Sequence, residues 1–225
     1  MIAYGKMEEK DMSRKMVLKK YGSIFIVCIL LVGLLSGCGM REKDAKAYVT
    51  ATLDASYKGK FEEYKKQTDA TEKEVKNLYQ ENIDTMMQSS GLDSIGASEK
   101  MTEKFRLLFQ DILKAANYKV QSAEKTDNGF AVKVKVKPLK CFSGLQDELT
   151  KKLEAKMKTL KKIPSDDKLN ELMLQEMYDI MADKLKNPEY GKAEVRKVQI
   201  EKDDDGVYSI REKDLTSLDA AMFPM

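Results

Sequence analysis

Phe130, Val132, Val134 and Val136 alternate with Ala131, Lys133, Lys135 and Lys137, and no other stretch restricts the fold so tightly. A period of two places the valines on one face of an extended strand and the lysines on the other. Tyr118, Val120 and Ser122 lead into Thr126-Asp127-Asn128-Gly129 just before it, so the two runs form a hairpin closed by an Asn-Gly turn. Pro138 ends the second strand. Such a sheet has one apolar face, and helices must cover it.

The helices are legible on both sides of this hairpin. Ala45, Val49, Leu53, Tyr57 and Phe61 recur at every fourth position, a helical stripe whose Lys58-Gly59-Lys60 step is a candidate break or kink. Thr68-Asp69-Ala70-Thr71 caps a second helix carrying Val75, Tyr79, Ile83, Met86 and Met87. Ser98 caps a third, with Met101, Phe105, Phe109 and Ile112. Beyond the hairpin, Leu145, Leu149, Leu153, Met157 and Leu160 mark a fourth helix, closed at Ile163-Pro164. Ser165-Asp166 opens a fifth with Leu169, Leu172, Met173, Met177, Ile180 and Met181. Its methionines suit either a pliable peptide groove or helix–helix packing, and packing is the expectation. Val195, Val198 and Ile200, then Asp203-Asp204-Asp205-Gly206, then Tyr208 and Ile210 form a second hairpin, and Leu215, Leu218 and Met222 a closing helix.

The N-terminal part has a different character. Lys19 and Lys20 precede an apolar run from Ile24, which closes on Leu35-Ser36-Gly37-Cys38 before the charged Arg41-Glu42-Lys43. A basic flank, a short apolar core and a small-residue cleavage site define a secretory signal peptide. This one resembles the bacterial lipoprotein signal with its lipobox. The resemblance implies recognition of Leu35, Ser36 and Gly37 by the signal peptidase, diacylation of Cys38 and removal of residues 1–37. Tyr21 through Met40 is twenty uncharged residues, long enough for an uncleaved span as the second reading. Either way Lys19 and Lys20 place the rest of the chain outside the cytoplasm. The long leader contains Met12 and Met16, each a candidate true start. Residues 38–43 then form a lipidated tether and 44–225 one domain, with a helical insertion over about 143–187.

Cleavage leaves 188 of the 225 residues, enough for one substantial core. The leader holds six Lys or Arg and three Asp or Glu, which leaves 34 of each sign in the mature part. A neutral body lacks the basic surplus that nucleic acid calls for. Lys133, Lys135 and Lys137 are an outer face that is either solvated or a basic strip for an anionic partner, and the solvated face is the expectation. Of the three cysteines, Cys141 alone remains free in the mature chain, so no intramolecular disulfide supports the fold; a buried packing thiol is expected there. There is no histidine and no tryptophan. Imidazole acid–base chemistry, Ser-His-Asp triads and His-containing zinc sites are thereby excluded. Carboxylates and tyrosines remain.

Glu201, Asp203, Asp205, Gly206 and Glu212 stand at positions 1, 3, 5, 6 and 12 of a calcium-loop spacing. Flanking strands, where that loop requires helices, make an acidic hairpin turn the expected reading, and no metal or other cofactor is assigned.

The order of helices, hairpin, helical pair and a hairpin reading Val-x-Ile-Glu-Lys-Asp-Asp-Asp-Gly-Val-Tyr-Ser-Ile is similar to lipoproteins of Gram-positive bacteria with a cystatin-like or NTF2-like domain. The likeness covers roughly 44–223 and implies a curved antiparallel sheet around the first helix, with no activity to transfer. The expected fold class is α+β: about six helices and a curved four-stranded antiparallel sheet of two hairpins packed on them, with an α-hairpin inserted between the hairpins. The expected role is a lipid-anchored extracytoplasmic protein, non-catalytic, that binds a protein, peptide or envelope component. A small-molecule carrier with a pocket between sheet and first helix is the second reading, and a carboxylate- or tyrosine-based enzyme the third.

Overall fold

The computed structural model describes residues 39–160 and 164–224. Cys38, Leu35, Ser36 and Gly37 lie outside the described residues. Helix α1 (Glu42–Lys58) starts at a capping box in which the Asp44 carboxylate takes the Arg41 backbone N–H at 3.1 Å. It ends at Gly59, whose φ of 61° supplies the left-handed cap. The candidate break is therefore real, and the first stripe divides into α1 and a short α2 (Glu62–Thr68). Helix α3 (Glu72–Ser89) opens on a second capping box, Thr71 with Glu74. A 3₁₀ turn at Asp93–Ile95 leads to α4 (Glu99–Lys114), capped by the Ser98 hydroxyl.

The sheet follows as β1 (Asn117–Thr126), β2 (Gly129–Lys137), β3 (Glu194–Lys202) and the three-residue β4 (Tyr208–Ile210), antiparallel throughout, in the order β1-β2-β3-β4. Helices α5 (Leu145–Thr159) and α6 (Asp166–Lys186) interrupt it between β2 and β3 as the expected α-hairpin. The base of that insertion is pinched shut. Leu139 bridges Tyr190, the Lys140 N–H donates to Glu189 O at 2.9 Å, and the Gly191 N–H donates to Pro138 O at 2.7 Å. Strand β3 can thus re-enter beside β2 as though the helices were absent. Helix α7 (Glu212–Met222) closes the described chain, giving seven α-helices among the described residues.

Core placement follows the alternation. Val132, Val134, Val136, Val198 and Ile200 are fully buried against α1 and α7. Helix α1 is buried on more than the one stripe its periodicity marks. Ala51, Thr52, Ala55 and Ser56 are buried beside Val49, Leu53 and Tyr57, so α1 lies between the sheet and α4. Small side chains let the second helix approach closely. The buried hydroxyls of Thr52 and Ser56 donate to carbonyls four residues back, at 2.9 and 2.7 Å, which removes the penalty of burying them. Val195 departs from the apolar set it was read with. It is 53% exposed on the outer face, because Val198 and Ile200 fix the opposite parity.

Candidate functional site

The space between α1 and the sheet is where a carrier would hold its ligand. It is filled. Tyr48, Val49, Leu53 and Tyr57 meet the buried valines of β2 there. Its polar groups are tied to one another. The Tyr57 hydroxyl donates to Asp219 on α7, and the Tyr118 hydroxyl donates to Asp54 at 2.5 Å. Lys58 joins Asp54 at 3.2 Å and lies 4.3 Å from the centre of the Tyr118 ring. Burial, with the Asp54 carboxylate adding, holds the Tyr118 phenol far above the ordinary tyrosine range. The Tyr118 phenol stays a protonated donor at neutral pH, and the cluster ties α1 to β1 and α7.

An open groove of about 540 Å³ lies at the mouth of this interface, between Met40–Lys43 at the start of α1 and Lys125 and Phe130 on the first hairpin. The residues at calcium-loop spacing do not converge. Glu201 on β3 pairs with Arg211 at 3.2 Å, and the Asp203 carboxylate takes the Val207 N–H at 2.8 Å within the turn. Gly206 sits at φ 87°, as a tight acidic turn requires. Glu212 begins α7. Among the described residues no three acidic, cysteine or histidine side chains gather to hold a cation. Cys141 is 2% exposed, and burial pushes its thiol up to about 12, so it packs and does not react.

Two surfaces remain. One is the α5–α6 arm. Within α5 only Leu149 is buried; Leu153 and Met157 are half-buried, and Leu160 just beyond is exposed. Helix α5 is held on α6 by the Glu148–Lys184 pair at 3.3 Å and by Glu176, a buried carboxylate that accepts from Lys156 and has Lys152 at 4.0 Å. Helix α6 in turn packs on α4, through Phe105 against Tyr178 and Lys104 on Gln175 at 3.0 Å. Nothing in the sequence singles out Glu176, because its partners come from another helix.

The other surface is the outer face of the sheet. Register places Lys119 directly opposite Lys135, and Lys133 directly opposite Lys197. The three lysines read from β2 are thus joined by one from each neighbour. Both additions were hidden because register is a tertiary property.

No family model matches the chain, and no curated protein does. A solved structure does match, at 2.62 Å resolution: ycdA of Bacillus subtilis subsp. subtilis str. 168, itself assigned only provisionally as a lipoprotein. The TM-score is 0.55 and the identity 18%, over 81% of this chain. The chain spans 56% of the length of that protein. At this identity the likeness is one of fold: the α+β arrangement of helices and antiparallel sheet recurs in a second protein. No helix among the described residues is long and apolar enough to cross a membrane.

Proposed function

We propose that the chain is a lipid-anchored, extracytoplasmic binding protein of the bacterial envelope, acylated at Cys38 and without catalytic activity. The observation that carries this reading is the junction between leader and body. The lipobox ends at Cys38, and α1, the most enclosed of the described helices, begins at Glu42. A processed chain therefore emerges from the membrane directly into its folded core. The fold shared with ycdA, assigned provisionally as a lipoprotein, supports the same assignment, and the sheet laid over α1 is in keeping with a cystatin-like body. The filled helix–sheet interface favours binding at the surface over a carried ligand. The half-buried apolar stripe of the α5–α6 arm supports a protein, peptide or envelope component as the partner.

Mass spectrometry of the protein extracted from membranes tests the anchor. A diacylglyceryl group on an N-terminal Cys38 is expected, and Cys38→Ala should leave the leader attached. An unmodified thiol on a chain recovered from the cytosol would overturn the reading. Photo-crosslinkers at positions 153, 157 and 160 in intact cells test the arm, with crosslinks expected there and absent when placed at Lys168.

A further inference from the structure

The outer face of the sheet concentrates positive charge in a way that local folding does not require. Lys119, Lys135, Lys137 and Lys197 are exposed there, and none has a carboxylate within ion-pair distance among the described residues. Lys133 alone is paired, with Glu124 at 2.5 Å. Glu201, at the turn end of this face, is taken by Arg211. Like charges directly opposite one another destabilise a sheet, and this face has two such pairs, Lys119 with Lys135 and Lys133 with Lys197. Val195 sits beside Lys135 and is exposed, so no described element covers the face. The mature chain as a whole is neutral, and the strip is therefore a local segregation of charge.

The tether fixes how far this face stands from a membrane. Only Gly39, Met40 and Arg41 separate Cys38 from α1, a reach of roughly 14 Å at full extension. That is little more than a Debye length. Met40 to Lys43 line the same groove as Lys125 and Phe130, so the anchor emerges at the turn end of the first hairpin. That end also carries Asp127 and, across from it, Asp203, Asp204 and Asp205, which Lys125 and Lys202 offset only in part. An anionic bilayer repels these acids if the body stands end-on. Tipping the body onto the lysine face removes the repulsion and satisfies the unpaired ammonium groups.

We propose that the outer sheet face, Lys119, Lys133, Lys135, Lys137 and Lys197 around Val195, docks on the anionic phospholipid headgroups of the bilayer that holds the acyl chains. The charges of this face are dispersed ammonium groups, which suit a headgroup layer more than a single bidentate ligand. One acyl anchor combined with a polybasic patch gives a more stable attachment than either alone. The docking rests on the lipid-anchored reading above. It leaves the α5–α6 arm free for a partner.

The test uses the full acylated protein reconstituted into vesicles of phosphatidylcholine alone, or of phosphatidylcholine with phosphatidylglycerol. Flotation with neutral vesicles in high salt reports the anchor by itself. Val195→Cys then places an accessible thiol at the centre of the face, with Cys141 buried and Cys38 acylated, for a fluorescent label. Anionic vesicles should shield the label from an aqueous quencher severalfold better than neutral ones, and should protect Lys119, Lys135, Lys137 and Lys197 from acetylation relative to Lys151 and Lys158. High salt should abolish both differences. Replacing those four lysines by Gln should abolish the shielding while flotation persists. Equal quenching in both vesicle types with flotation intact overturns the docking and leaves the anchor standing. Failure to float overturns the anchor and, with it, the docking.

Discussion

The Tyr57 hydroxyl donates to Oδ1 of Asp219, 162 residues further along the chain, with both side chains 1% exposed. This bond fastens α7 to α1 at the point where Phe223 also meets the Tyr57 ring, 6.0 Å between centres. A buried carboxylate that loses a donor retains the penalty of its desolvation. Tyr57→Phe should therefore lower stability by about 1–3 kcal/mol. Asp219→Asn keeps an acceptor for the phenol and should lower it less. Urea unfolding measures both, as a shift of midpoint at unchanged slope.

Two turn glycines should respond very differently to alanine. Gly129 has φ 145°, and a Cβ there would lie 2.0 Å from the Ile200 carbonyl oxygen, which belongs to the rigid backbone of β3. Gly129→Ala must push β2 and β3 apart and should lower stability by about 3 kcal/mol or more. Gly206 has φ 87°, and a Cβ would meet only the flexible end of Lys202, at 3.5 Å. Gly206→Ala should lose about 1–2 kcal/mol, the ordinary penalty of a left-handed residue with a side chain. Thermal unfolding of the two variants side by side decides the matter.

These two glycines also mark how far the sequence could be read. Asp127-Asn128-Gly129 and Asp203-Asp204-Asp205-Gly206 announce their hairpins because a turn is a local event, as are the strict alternation of β2 and the caps at Thr71 and Ser98. The features that escaped are those set by distant partners. Helix α1 was legible as a stripe from Ala45 to Tyr57, but its second buried side is made of Ala51, Thr52, Ala55 and Ser56. Such residues show no periodic hydrophobic signal, and it takes elements from elsewhere in the chain to bury them. Val195 looked like its neighbours Val198 and Ile200 until pairing fixed the register. The stripe of α5 reads as core, yet only Leu149 is buried, because among the described residues no third element covers α5.

Alkaline pH should weaken the fold through Cys141. Its thiol is pushed from the ordinary 9.0 up to about 12, chiefly by burial. Between those values the unfolded chain releases the proton while the folded chain keeps it. Stability contributed by the neutral thiol is thus complete below pH about 9 and falls by about 1.4 kcal/mol for each unit above it. The Tyr118 phenol is displaced in the same direction from 10.0 and adds its own loss above that pH. Chemical unfolding between about pH 8.5 and 10 isolates the cysteine. Cys141→Ala should flatten the slope in that window whatever it does to the baseline; an unchanged slope would show that the thiol is solvated in the folded state.

The α5–α6 arm should be the part of the fold that opens first, and Glu176 should control it. With only Leu149 buried, α5 has little apolar surface to hold it down. What remains is the Lys184–Glu148 ion pair at 3.3 Å near the base of the arm and, further along it, the carboxylate of Glu176, 5% exposed on α6, facing Lys156 and Lys152. The lysines are half in water, so their attraction is screened and modest, but they are the partners of a carboxylate that burial has stripped of solvent. Replacing both lysines by Ala leaves that charge without them and should lower stability by about 1–3 kcal/mol, with faster amide exchange confined to α5 and the facing part of α6. Glu176→Leu removes the buried charge and supplies an apolar side chain of similar size beside the half-buried Leu153 and Met157. It should be neutral within about 1 kcal/mol or stabilising, and should slow exchange in α5. If Glu176→Leu instead destabilises as strongly as the double lysine variant, the ion pair specifies how the two helices meet and burial of the charge is the smaller effect.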